Sequence, residues 1–279
     1  MDDRRFGFLD LLAQISQLVV VVILVFAPLA AAPYITSRLD RAGLPGALFA
    51  GLFIGLGPTL AILSLRKERA SRRRSRAMRR AALDLGLHFA PGFRLPRSMR
   101  DLPSLAGVEI LGSPRGWTIQ RGYADLISGS VDGSEILVFD YWVKSDGAYA
   151  QTHWHTLAAA RIGDEGRALL VEPRDIGSWV PATGLYEVTT ESAAFSKRYR
   201  VRTQDPKFAS AFLDGRMIEF LLELSDPWTF EVGDSWLAVT AHQIPTQRIS
   251  QLIETLQAFR RHVPRVIASM YPEPGPTFV

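Results

Sequence analysis

Two long stretches without a single charged residue, Leu11–Ser37 and Ala42–Leu65, lie almost back to back near the N-terminus. A bilayer core about 30 Å thick is crossed by roughly 20 apolar residues of helix, and both stretches are long enough. The centre of the first, Leu18–Ala32, is almost wholly aliphatic. A secretory leader would be shorter and would not be followed by a second span. The pattern predicts a transmembrane helical hairpin with spans at about 11–35 and 43–65, closed by the short link Ser37–Arg41. Pro28, Pro33 and Pro58 fall within or at the ends of these spans, where a neighbouring helix can compensate the missing donors. Ala47, Gly51 and Gly55 form a stripe of small residues at i, i+4 spacing, suited to close packing against the first span or a second copy. Neither span holds an ionisable group, which disfavours an ion or proton path through the hairpin.

Charge then orients the hairpin. Arg66, Lys67, Arg69, Arg72, Arg73, Arg74, Arg76, Arg79 and Arg80 follow the second span against Glu68 alone, whereas the link between spans carries only Arg38 and Arg41. Basic residues close to span ends stay on the cytoplasmic side. The expected location is the inner (plasma) membrane, multi-pass, with both termini and everything after residue 66 cytoplasmic. The basic stretch 66–82 reads as a juxtamembrane linker able to contact anionic lipid headgroups. The whole chain is +4, but residues 66–80 alone are +8 and residues 81–279 are −4. A mildly acidic domain gives no reason to expect nucleic acid as a partner. With no cysteine in the chain, disulfides and thiolate chemistry are excluded.

The remainder, 83–271, has the spacing of an α+β domain with mostly antiparallel strands and two or three amphipathic helices, ahead of a disordered Pro-rich tail at 272–279. A helix over 70–88 ends near Gly86. Strands at 121–130 and 134–144 flank an Asp132–Gly133 hairpin signal, and 151–162 continues the meander. Shorter strands are expected at 167–172, 185–190 and 197–203. Asp205 and Pro206 open one helix that runs to Asp226–Pro227. A hairpin around Gly233–Asp234 follows. Pro245 then opens a last helix with Ile249, Leu252, Ile253 and Leu256 on one stripe.

Val138–Phe139–Asp140–Tyr141, then Gln151–Thr152, then Phe195 with Tyr199, Val201, Thr203 and Asp205 ahead of an amphipathic helix, make a recognisable order. In it the chain resembles a family of uncharacterised bacterial membrane proteins, in which a short N-terminal helical hairpin precedes a cytoplasmic α+β domain of unknown function. The resemblance implies architecture; it carries no catalytic residue and no cofactor.

Candidate chemistry in the domain is sparse. His153 and His155 share one face of a strand and could begin a metal site, which needs three or four ligands; Asp140 on the neighbouring strand is the candidate third. Solvated or hydrogen-bonded strand histidines are the simpler reading. Asp140 interrupts an apolar run, so either its face of the strand is exposed or it pairs with an arginine. Neither a G-x-S-x-G elbow nor a phosphate-binding glycine loop occurs in the domain. The sequence favours a non-enzymatic binding or scaffold domain that engages a partner protein, a lipid or a small ligand, with a homodimer as a further expectation from the small-residue stripe. The alternatives are a hydrolase or metal-dependent enzyme built on His153, His155 and Asp140, and a subunit of a transport or envelope complex.

Overall fold

The computed structural model describes residues 65, 66, 68–91, 99, 102–105, 119–145, 152–175 and 184–267. The two expected spans with Ala47, Gly51 and Gly55, and the tail 272–279, lie outside the described residues, Leu65 excepted. Among the described residues no helix is long and apolar enough to cross a membrane. The chain divides into two compact units, Met1–Arg74 and Ser75–Val279. In the first, residues 68–74 are helical, and Arg72 pairs with Glu68 one turn away at 2.6 Å.

The second unit is an α+β fold built on one large antiparallel sheet. It opens with helical residues 75–84 (α1), which bury Met78 and Ala82 and leave Arg76, Arg79 and Arg80 exposed. Part of the stretch read as a linker is therefore core. Gly86 ends this turn of chain at φ +67°, a conformation glycine adopts without penalty. The strands are β1 (His88–Ala90), β2 (Ile119–Val131), β3 (Ser134–Ser145), β4 (Thr152–Pro173), β5 (Tyr186–Val188), β6 (Tyr199–Thr203) and β7 (Thr229–His242). Four further helices are α2 (Ala193–Arg198), α3 (Pro206–Phe212), α4 (Gly215–Glu223) and α5 (Ile249–His262).

β2 and β3 form the expected hairpin: Asp132 and Gly133 both have positive φ and join Val131 to Ser134, as a two-residue turn requires. In β2 a bulge at Ala124–Leu126 sets Asp125 at φ +54°, where its carboxylate accepts from Ser75 of α1 at 2.7 Å. β4 is the hub. One edge pairs with β3 over Thr152–Ala160 and then with β6 over Leu169–Pro173, while the other edge pairs with β7 between His155 and Val171. The segments expected as separate strands at 151–162 and 167–172 are thus one strand, irregular between Arg161 and Leu169.

β7 corrects a second expectation. The halves on either side of Gly233–Asp234 do not pair with each other as a hairpin; both pair with β4. They nonetheless meet through side chains, since Thr240 donates to Glu231 at 3.0 Å. Nine residues of straight strand would separate these groups by about 30 Å. The β4–β7 ribbon therefore folds over on itself.

Residues 206–226 likewise form two helices rather than one. Asp205 accepts from the amides of Lys207 and Phe208 at 3.0 and 3.1 Å and starts α3. Asp214 then accepts from Met217 at 2.9 Å and starts α4.

Side-chain alternation sends Ile136 and Val138 of β3 to the first face of the sheet, under the helices. There Phe212, Phe230 and Phe259 meet with ring centroids 4.9–5.7 Å apart. Leu137, Phe139 and Tyr141 point to the second face and join Leu157, Ala159, Trp236 and Ala238 beneath Met99, Leu102 and Leu105. Because β3 is buried on both faces, it reads as a continuous apolar run.

Candidate functional site

The second unit holds a groove of about 810 Å³. One wall is the loop from Val188 to Ser192 that leads from β5 into α2. The other is the outer side of α3 and the start of α4. Local chemistry fixes both walls. Ser192 accepts from the Phe195 amide at 3.3 Å and caps α2, while Thr190 and Ser196 share a hydrogen bond of 2.9 Å. Asp205 and Asp214 set where α3 and α4 begin, so the break between them at Leu213 opens the groove. At the C-terminal end of α4, Arg198 donates to the carbonyls of Leu222 and Leu224 and closes off groups the helix leaves unpaired. The floor is apolar, with Val188, Ala209, Leu213 and Ile218; the rim carries hydroxyls and the carboxylates of Glu191 and Asp214. An apolar floor with a few convergent polar groups is the usual form of a binding site.

The histidines flagged in the sequence are placed differently from one another. His153 is exposed. His155 is buried, and its ring stacks between Tyr141 at 5.2 Å and His242 at 5.0 Å. Burial, reinforced by the nearby His242 and His153, lowers the pKa of His155 to about 3, so it is neutral at ordinary pH. Asp140 pairs across the strands with Thr156, one residue from His155, and so faces the opposite side of the sheet. It is buried there and accepts from Thr156 at 2.7 Å and from Gln243 at 3.1 Å. The structure thus separates Asp140 from the two histidines. Among the described residues no group of three or more histidines and carboxylates is arranged to hold a metal ion. Of the tryptophans, Trp228 and Trp236 are buried, and Arg248 lies over the ring of Trp228 at 5.2 Å.

Two features escaped the sequence reading. His242 meets His155 only because β7 lies beside β4. Glu231 is fully buried on the second face, accepting from the Ser104 amide at 2.7 Å and from Thr240. Nearby, buried Glu172 is bonded to Arg202. Burial raises the pKa of Glu231 to about 7, opposed by the Ser104 and Thr240 hydrogen bonds and helped by the Glu172 charge. The signal was present: Glu231 sits between Phe230 and Val232 just as Asp140 interrupts its own apolar run.

No protein-family model and no curated protein matches this chain. Among solved structures, the crystal structure of the mycobacterial trehalose monomycolate transport factor A is similar, with a TM-score of 0.50 and 11% identity over 68% of this chain and 96% of that one. At that identity the likeness is one of fold.

Proposed function

We propose that this chain is a membrane-anchored binding module serving a transport or envelope assembly, and that the groove beside α3 and α4 receives its partner. The observation that carries the binding reading is the groove itself, with its apolar floor and polar rim held by three capped helices. The assignment to a transport or envelope assembly leans on the likeness of fold to a protein described as a trehalose monomycolate transport factor. The two charge-free stretches and the basic run after them support an anchor in the inner membrane with the domain on the cytoplasmic face.

The test fills the groove from its exposed side. Ser210 is exposed and lines the groove, so Ser210→Trp blocks it while sparing the core. Full-length wild type and variant are captured from native membranes, and their companions are compared. A component of a transport or envelope assembly that accompanies the wild type and is lost from an equally stable variant supports the proposal; identical companions sink it. Orientation is checked separately. A reporter active only in the cytoplasm should work when fused after Val279 and fail when placed between Ser37 and Arg41; the reverse pair would put the domain outside.

The basic run also supports contact with anionic lipid through Arg66, Lys67, Arg69, Arg72, Arg73, Arg74, Arg76, Arg79 and Arg80. Changing Arg73, Arg76, Arg79 and Arg80 to Gln should weaken the full chain's preference for anionic over neutral vesicles at low salt. Such attraction is screened over a Debye length of about 10 Å at 0.1 M salt, so the difference should shrink as salt rises.

A further inference from the structure

Helix α1 is held against the sheet at both ends. At its start Ser75 donates to the buried Asp125 carboxylate in the β2 bulge at 2.7 Å. Along its inner side Met78 and Ala82, one turn apart, are fully buried in the core of the first face. Just past its end Leu87 packs on Gly129 of β2, so closely that a Cβ added there would lie 2.6 Å from the Leu87 Cδ2. These contacts fix which side of the helix the second unit turns outward.

Residues at i, i+3, i+4 and i+7 share one side of a helix. On α1 that row is Arg76, Arg79, Arg80 and Leu83, and all four are exposed. Asp84 is the one carboxylate of the helix, against three arginines. A lone exposed leucine is ordinary on a protein surface. Leu83 differs in its company. Four large apolar side chains are exposed among the described residues, and two of them, Leu83 at 66% and Leu85 at 39%, stand together at the end of the arginine row. Such a surface matches anionic lipid, where guanidinium groups meet phosphates and aliphatic carbons enter the layer beneath. Nucleic acid offers phosphates too, but nothing for the leucines to enter.

We infer that the outer side of α1 docks on an anionic lipid surface, with Arg76, Arg79 and Arg80 among the headgroups and Leu83 inserted below them. This rests on the membrane anchor proposed above and deepens the lipid contact read from the basic run. Of the nine basic residues in that run, these three are the ones carried in a row by the second unit. Each basic residue close to an anionic surface is worth about a fivefold gain in occupancy, so three together give about a hundredfold at low salt. Because Ser75, Met78, Ala82 and Leu87 pin α1 to the sheet, docking the helix also sets how the second unit stands on the bilayer.

The chain has no cysteine, so Leu83→Cys gives a single attachment point for a fluorophore at an exposed position that spares the core. Tyr186→Cys is the control, exposed on β5 at the far end of the strand order from β1 and β2. Each full-length labelled protein is reconstituted into phosphatidylcholine vesicles with or without phosphatidylglycerol, with brominated acyl chains as the quencher. The label at position 83 should be quenched in the anionic vesicles and much less in the neutral ones, and the label at 186 in neither. Changing Arg76, Arg79 and Arg80 to Gln should lower the ratio of docked to undocked helix by about a hundredfold at low salt and restore the emission at 83. Raised salt should act in the same direction. A label at 83 that stays bright in anionic vesicles would make the row a solvated face and overturn the docking. So would quenching at 83 that is indifferent to phosphatidylglycerol and to the arginines, or that is matched at 186. Protein washed from the vesicles by alkali would sink the anchor, while the quenching measured before the wash still decides the docking.

Discussion

On its first face the sheet is closed by helices, and aromatic rings from α3, α5 and β7 interlock there. On its second face a short turn lies over Leu137, Phe139, Tyr141 and Trp236, and the buried groups around it include His155 and Glu231, both titratable. Helices bring long rows of side chains and satisfy their own backbone, so they can seal a surface without polar help. A turn brings three apolar side chains and leaves its amides to be satisfied from below. The second face holds His155 and Glu231, two buried groups whose titration is displaced, and so its stability becomes sensitive to pH.

Matched truncations put this contrast to the test. Leu256→Ala removes a fully buried side chain of α5 and should cost about 4 kcal/mol, near the top of the range for such changes, because the helix cannot collapse into the space. Leu102→Ala, equally buried in the turn, should cost about 2 kcal/mol because the turn can settle. Denaturant unfolding measures both, and equal costs would break the comparison.

The pH response sharpens it. His155 stays unprotonated down to about pH 3 against an ordinary 6.5, so the fold loses stability as pH falls below 6.5. Glu231 works in the opposite sense, since stability present below pH 4.5 is lost as pH rises toward 7. Between about pH 4.5 and 6.5 the two slopes, each about 1.4 kcal/mol per pH unit, offset each other. Wild-type stability should be nearly level across that window. Glu231→Gln should become less stable as pH falls, whereas His155→Phe should become less stable as pH rises. Parallel slopes in the two variants would show that the second face does not hold both groups as described.

The smallest effect concerns the groove. Asp214→Ala removes the cap of α4 and should cost about 1 kcal/mol, with Asp214→Asn recovering most of it. Thermal unfolding of the pair checks this, and an alanine variant as stable as wild type would remove the cap from the account.

Much of the fold is legible wherever the determining chemistry is local. Asp132–Gly133 specifies its turn by backbone preference alone, and Asp205–Pro206 marks a helix start in two residues. The stripe Ile249, Leu252, Ile253 and Leu256 is buried as its spacing implies. Reading fails where the cause lies elsewhere in the chain. Gly233–Asp234 carries a turn signal, yet what that segment pairs with is decided by β4. The apolar spacing of Phe212, Leu213, Phe220 and Leu221 runs through the break that Asp214 imposes, so periodicity hides the cap. Asp140 and His155 look like neighbours across a strand pair; a one-residue offset in register puts them on opposite faces. The run Phe230–Glu231–Val232 shows a carboxylate among apolar residues without showing the distant Ser104 that meets it, and no local pattern announces the groove.

The place of β4 has a consequence for the order in which the protein comes together during synthesis. β2, β3 and the first half of β4 can pair as soon as they emerge, each with its neighbour in sequence. The other edge of β4 must wait for β7, and its pairing completes only when the chain has been made as far as His242. At the usual pace of translation that wait is on the order of ten seconds. Throughout it, the middle strand of the sheet presents an open edge beside the ribosome, lined by apolar side chains. Segments that must wait for distant partners are the slow and sticky part of folding, and here that part is the centre of the molecule.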